Sequence, residues 1–325
     1  MTAVAAAPGR RRGPAGAIVV LVGYLLLCPP IFVLGPLAGL LMVSRPASLR
    51  EWWWLFGTLL WIAASLLLPG GIAVQMLQAW GVFLTGAFLS LMLVRPRSFV
   101  DGALGATAVG LSAVTVCAWA IGVHWQDIQL AVAHDGWEYC RALLGPDGLE
   151  GGMQQLLGRQ LTPDASARFR QTVEAMSEMV GPTAALYPGV LVLVALPGLA
   201  VAWNWYHRIA TRPIGPPPAP FRGFRFNDQV IWLLIAGLIL LLFNAPAPGA
   251  TLGGNIVLVT TGLYTVRGAA VAASLSKARS GALLLVLAVA LILLLPLVLG
   301  GLVSLGLADT WLDFRRPRRP SLTGE

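Results

Sequence analysis

The chain has 325 residues, of which 57% are hydrophobic and 11% charged, with a mean hydropathy of +0.77. A soluble protein carries roughly a quarter charged residues, so this composition excludes an ordinary water-soluble globule and belongs in a bilayer. The net charge of +8 comes from arginines that flank apolar runs, which makes a membrane surface the expected partner and argues against nucleic acid.

Residues 1–16 form a basic N-terminus, expected to be cytoplasmic. Arg10, Arg11 and Arg12 precede an apolar run from Ile18 to Cys28, the outline of a secretion signal. No A-x-A site follows, and Leu27 before Cys28 is a poor lipoprotein context, so a retained first helix is expected. Cys28, Cys117 and Cys140 share no CxxC spacing; Cys28 and Cys117 lie in apolar runs and read as small hydrophobes.

Apolar segments follow at 17–29, 31–43, 52–69, 72–94, 102–123, 182–207, 229–244, 251–273 and 281–308. Most can cross about 30 Å of hydrocarbon at 1.5 Å per residue. The first two cannot, because Pro29-Pro30 interrupts them, leaving either one kinked helix or a broken hairpin. Charge chooses between these. Arg45 and Arg50, Arg95 and Arg97, Arg208, Arg212, Arg222 and Arg225, and Lys277 and Arg279 fall on one face if each intervening run crosses once. That face is expected to be cytoplasmic, and the basic N-terminus joins it if 17–43 goes in and returns as a hairpin. Region 17–123 is then an N-terminal transmembrane region and 182–308 a C-terminal one. The basic tail, 309–325, returns inside only if the chain turns at Leu297–Gly301, after Pro296; its side stays open.

The connection at 124–181 carries eight acids against four arginines and is expected outside, as a small extracytoplasmic helical cap. Trp125 to Leu144 has helical apolar spacing and ends at Gly145-Pro146-Asp147-Gly148. Thr162-Pro163 reads as N-cap and first helical residue, followed by the stripe Phe169, Val173, Met176 and Val180. A packed cap is the simplest reading and a lid over a cavity the alternative. The linker at 208–228 includes Pro213 to Pro220, a stiff extended spacer. The predicted fold is thus an all-α polytopic transmembrane helical bundle of eight to nine segments with a small extracytoplasmic helical insertion.

Signatures of catalysis, metal binding or cofactors are not found: His124, His134 and His207 match no ligand spacing, and no Walker loop or GxSxG elbow occurs. A non-enzymatic protein with no cofactor and no metal is expected. Arg267 is the clear intramembrane charge and must face protein or water. Tyr264 lies one turn away on the same face, and Asn255 about three turns further. The three could line a pocket for an anionic or polar ligand; alternatively, Arg267 reaches the inner surface and pairs with Asp228. Asn227-Asp228 is expected to cap the 229–244 helix. Asp309 and Asp313, four apart near Arg316, read as surface pairing with the arginine cluster. Gly35 and Gly39 form a GxxxG, and Gly268, Ala269, Ala272 and Ala273 crowd another run, both signs of close helix approach. Trp52, Trp53, Trp54, Trp203, Trp205 and Tyr206 read as interfacial anchors.

Phe224-Arg225-Phe226-Asn227-Asp228, Gly253-Gly254-Asn255, Tyr264 and the run Leu307 to Arg315 resemble the YybS-like family of uncharacterised bacterial multi-pass membrane proteins. That likeness extends over most of the chain and implies no function. The first 70 residues, with Pro29-Pro30 and Pro36 between short helices, are similar to substrate-binding (S) subunits of energy-coupling-factor transporters. The second likeness implies a substrate-binding or transport component for a small solute, with an energising transporter subunit or other membrane protein as partner. The insertion at 124–181 and the additional C-terminal span depart from that pattern. The competing expectation is a membrane scaffold for envelope assembly.

Overall fold

The computed structural model describes residues 14–67, 71–94, 98–144, 163–243, 246–275 and 294–315. Arg10 to Arg12, Arg95, Arg97, the Gly145 to Gly148 turn, Thr162, Lys277, Arg279, the first part of the 281–308 segment and the tail beyond Arg315 lie outside the described residues. The described residues are all-α, with one 3-10 turn at Phe221–Gly223 and helices α1 (Pro14–Leu27), α2 (Ile31–Ser44), α3 (Leu49–Leu67), α4 (Ile72–Val94), α5 (Phe99–Ala120), α6 (Trp125–Leu144), α7 (Pro163–Ala185), α8 (Tyr187–Ile209), α9 (Val230–Leu242), α10 (Ala247–Leu275) and α11 (Leu295–Leu312). Five of the nine expected segments meet the length and apolarity needed to cross a bilayer: α4, α5, α8, Pro248–Leu275 of α10, and α11. Ile18–Leu27, α2 and α9 are apolar but shorter.

The contacts divide the chain into two compact units: residues 1–69, 78–111 and 194–218, and residues 70–77, 112–193 and 219–325. In the first, Pro29-Pro30 separates α1 from α2, as expected from proline's inability to continue a helix. α2 spans only about 21 Å at 1.5 Å per residue, and nine of its residues are buried, Ile31, Phe32, Leu37 and Leu41 among them. A helix that is apolar all round belongs inside protein, and glycines make that possible here. Gly35 and Gly39 face Thr85 and Leu89 of α4, while Gly81 of α4 receives Ile31. Gly198 of α8 receives Phe32 and the Tyr24 hydroxyl, which donates to the Val194 carbonyl at 2.8 Å. The GxxxG expectation thus acquires a partner, α4.

The C-terminal end of α8 carries an aromatic cluster. Trp203 stacks on Phe99 at 6.1 Å and meets Phe88 edge-on at 5.8 Å. Trp203 and Tyr206, expected as interfacial anchors, are instead fully buried; Trp52 and Trp53 are the exposed ones. Trp54 packs edge-on to Trp205 at 5.4 Å. Gly215, at φ +77°, brings the linker against Trp203, a left-handed conformation that other L-residues adopt at a cost.

In the second unit, α6 and α7 form a hairpin. Ile128, Ala133, Cys140 and Val173 are buried between them, and Gly136 gives room for Val180. Met176 is exposed, so the expected stripe is buried only in part. Cys117, expected to pack, is exposed, and Cys140 is the buried cysteine. α7 continues through Pro182, and the chain breaks at Leu186 before α8. Asn255 of α10 bridges that break. Its side-chain amide donates to the Ala185 carbonyl at 2.9 Å and the Thr251 carbonyl at 2.8 Å, and its oxygen accepts from the Gly189 N–H at 2.7 Å. One residue therefore satisfies backbone groups from both helix ends, which would otherwise be orphaned.

α9 packs on α10 through Gly237 and Gly253, and α10 on α11 through Gly268 and Gly306. Of the two alternatives left open for the last segment, a turn at Leu297–Gly301 is not formed. Pro296 lies in the first turn of α11, where its missing N–H has no helical role, and the helix runs unbroken to Leu312.

Candidate functional site

Among the described residues two buried polar clusters stand out, one in each unit. The first begins with adjacent residues. Ser48-x-x-Glu51 opens α3 as a capping box: the Glu51 N–H donates to Ser48 Oγ at 3.3 Å, and the Ser48 N–H donates back to Glu51 Oε2 at 3.0 Å. The Ala47 N–H adds a third bond at 2.6 Å. The other carboxylate oxygen accepts from the Thr211 N–H and, at 2.5 Å, the Thr211 hydroxyl. Beside it, Arg50 Nη2 donates to the Arg208 and Ile209 carbonyls at 3.1 and 2.6 Å, closing the C-terminus of α8. The loop at 44–51 and the start of the linker therefore meet at one end of this unit.

Burial pushes the Glu51 carboxyl up, but the Thr211 hydroxyl and the amides of Thr211, Ser48 and Ala47 outweigh it and hold the group at about 2 instead of 4.5. A lowered carboxylate contributes stability that is complete above its unfolded value and lost as pH falls through the folded one. The melting midpoint in detergent should accordingly drop as pH falls from about 4.5 toward 2. Glu51→Gln should melt lower at neutral pH and show a flatter acid limb; an unchanged acid limb would remove Glu51 from this account.

The second cluster surrounds Arg267. α10 carries its guanidinium to a place where the side chain is 3% exposed. Nε donates to Asp309 Oδ2 at 2.9 Å, Nη2 to the Asp309 carbonyl at 3.3 Å, and Nη1 to Asp228 Oδ1 at 2.6 Å. The Phe226 ring covers the cation, 5.4 Å from Cζ to centroid, and meets the buried Tyr264 edge-on at 5.3 Å. Asp309 is itself buried and is shared: Arg315 Nη2 donates to the same Oδ2 at 2.6 Å. Arg315 Nη1 also reaches the Phe224 and Arg222 carbonyls at 2.9 and 3.2 Å. Arg225 pairs with Asp313.

Local backbone explains how these charges gather. Asp313 ends α11 in the left-handed conformation, φ 40°, with its N–H on the Asp309 carbonyl. Aspartate tolerates that region, and the reversal returns Arg315 onto Asp309. From the other side, the Phe224-Arg225-Phe226-Asn227-Asp228 strip delivers Phe226 and Asp228. Asn227 Oδ1 accepts the Gln229 N–H at 3.0 Å just before α9, whereas Asp228 makes no cap and faces Arg267. The expected Asn227-Asp228 cap is therefore divided between two tasks.

Arg267 and Tyr264 come together, joined by Phe226. Asn255 does not join them; it sits twelve residues back, about 18 Å along α10, at the α7–α8 break. The hairpin stands at that same end, so it does not cover Arg267. The anticipated pairing of Arg267 with Asp228 is present, with the side chain held inside and not extended to the surface. The surface position expected for Asp309 is corrected: it lies inside the last helix, with a carboxylate reaching a residue 42 positions away. Two features had no sequence assignment. The Ser48-x-x-Glu51 spacing is a signal that finds the Glu51 clasp; nothing local announces the Arg267–Asp309 pair. Among the described residues, His, Cys, Asp and Glu do not gather as a metal site.

Helices of this length and apolarity, closed through glycine contacts around buried ion pairs, define an all-α membrane protein with several candidate transmembrane helices. The chain belongs to the family described as "Predicted membrane protein (DUF2232)", whose model matches residues 16–310. No curated protein and no solved structure matches it.

Proposed function

We propose that this protein is a non-enzymatic substrate-binding or transport component for a small anionic solute, acting in a bacterial inner membrane with an energising partner. One observation carries the reading: Arg267 is buried between a buried carboxylate and one that is 59% exposed, that of Asp228. A fixed intramembrane cation with a replaceable counter-ion suits exchange with a solute carboxylate. Asp309 keeps the guanidinium oriented while Asp228 swings away, and Tyr264 and Phe226 wall the site. The likeness of the first 70 residues to energy-coupling-factor S subunits points the same way. The arginine-bearing end is taken as cytoplasmic and the acidic hairpin as external.

The test uses the full chain in detergent with succinate as probe, read as a shift in melting midpoint. Succinate should stabilise wild type, stabilise Asp228→Asn more strongly because the resident carboxylate is gone, and leave Arg267→Gln unmoved. Equal shifts in all three would sink the reading. A silent Arg267→Gln in cells, beside loss of function on deleting 213–220, would favour the scaffold for envelope assembly.

A further inference from the structure

Where α10 ends, a second feature is independent of the proposed transport role. Arg222, Arg225, Ser274, Leu275, Phe314 and Arg315 line an open pocket of about 360 Å³. Three arginines line it, with Leu275 and Phe314, both exposed, as its apolar walls and Ser274 beside them. Their charge is incompletely balanced. Asp313 answers Arg225, and Asp309 is shared between Arg315 and Arg267. Arg222 is exposed on the 3-10 turn that packs on α10.

Arg315 distinguishes this pocket from arginines that merely mark topology. Its side chain is only 8% exposed, and three of its bonds fix the guanidinium to Asp309 and to the Phe224 and Arg222 carbonyls. Its Nε is buried and has no hydrogen-bond partner among the described residues. A topology signal needs only a charge near the surface; it does not need a guanidinium pinned by three bonds. The depth is equally specific. Ser274 and Leu275 follow the apolar run 251–273 and precede Lys277 and Arg279 in sequence, the order that marks the level where hydrocarbon gives way to headgroups.

Guanidiniums match the oxygens of a phosphate, which they bind in forked pairs. Apolar walls beside them match the start of an acyl chain. We infer that the Arg222–Arg225–Arg315 pocket binds a phosphate group, carried in the membrane by the headgroup of an anionic phospholipid. The bound phosphate bridges the linker to the ends of α10 and α11, and so secures the linker to the membrane face.

The experiment measures melting midpoints of the delipidated full chain with phosphatidylglycerol, phosphatidylcholine or sodium phosphate added, and counts retained lipids by native mass spectrometry. Phosphatidylglycerol should stabilise far more than phosphatidylcholine. Affinity should fall about fivefold in Arg222→Gln, which removes an exposed side chain, and further in Arg222→Gln/Arg225→Gln. Stabilisation by sodium phosphate equal to that by phosphatidylglycerol would assign the same site to a soluble phosphate. Equal effects of the two lipids, no stabilisation by any of the three, or undiminished binding in both variants would overturn the proposal. Succinate shifts that depend on Arg267 are read separately, because neither glutamine variant touches Arg267.

Discussion

Asp309→Leu should destabilise the protein by roughly 3–5 kcal/mol, the cost of leaving buried charge without its partner. The residue is 1% exposed, and both Arg267 and Arg315 lean on the same oxygen. Removing it orphans Arg267 on one side at once, and Asp228, more than half exposed, cannot substitute for a buried carboxylate. Unfolding in mixed micelles is the measurement. The informative companion is Arg267→Met/Asp309→Leu, which replaces the pair with apolar volume and should recover most of the loss, because well-packed hydrophobic residues often match a buried ion pair in stability. Asp228→Asn, at the exposed end, should cost no more than about 1 kcal/mol. A single variant within about 0.5 kcal/mol of wild type would mean the pair is screened by water. A stable double variant that no longer responds to succinate would separate what the ion pair does for folding from what it does for binding.

The second large effect is expected at Gly306. A β-carbon there would collide with the Tyr264 carbonyl and stand 3.0 Å from the Gly268 nitrogen. Its opponent at Gly268 meets the Leu302 carbonyl in the same way. In each case the obstructing atom is backbone, which cannot rotate aside as a side chain does. The helices must separate, and Asp309, one turn beyond Gly306, moves away from Arg267 with them. Gly306→Val should therefore cost about 3 kcal/mol, the upper end for overpacking, and should weaken the ion pair as well. Gly300 and Gly301 provide controls in the same helix: a β-carbon at either meets nothing within 4 Å. Alanine at those two should be neutral or slightly stabilising, since glycine is the weaker helix former. If Gly306→Val and Gly300→Ala melt alike, the close crossing of α10 and α11 is not what holds this end together.

How much of this was legible in the residues depends on how local the physics is. The Pro29-Pro30 break and the start of helix α6 at Trp125 follow from neighbouring side chains, and the structure has each at the expected place. Glycine spacing correctly announced close approach but could not name the partner helix. The aromatic residues near Arg208 show the limit of a rule based on composition. Trp203 and Trp205 share a headgroup-level position in sequence, yet α8 turns Trp203 into the core against Phe88 and Phe99. Asp309 shows the same limit for charge. Counting places it just past the apolar run, beside basic residues, whereas helix α11 extends one turn further and carries it inside. Whether a carboxylate at a span's end faces water or a distant arginine depends on which helix lies opposite, and no local pattern encodes that. The α7–α8 break at Leu186 was hidden for a related reason: its missing backbone partners come from Asn255, on a helix far along the chain.

The enclosure of α2 has a consequence for biosynthesis. Phe32 emerges from the ribosome about 160 residues before Gly198, the notch that receives it, a delay of roughly 8–30 s at ordinary translation rates. During that interval α2 is too short to be comfortable in lipid and has no completed protein pocket to occupy. Its earlier partners α3 and α4 cover it in part, and the face that Gly198 receives stays bare until α8 arrives. A chain stalled before α8 would present that apolar face uncovered, the kind of intermediate that membrane quality control degrades.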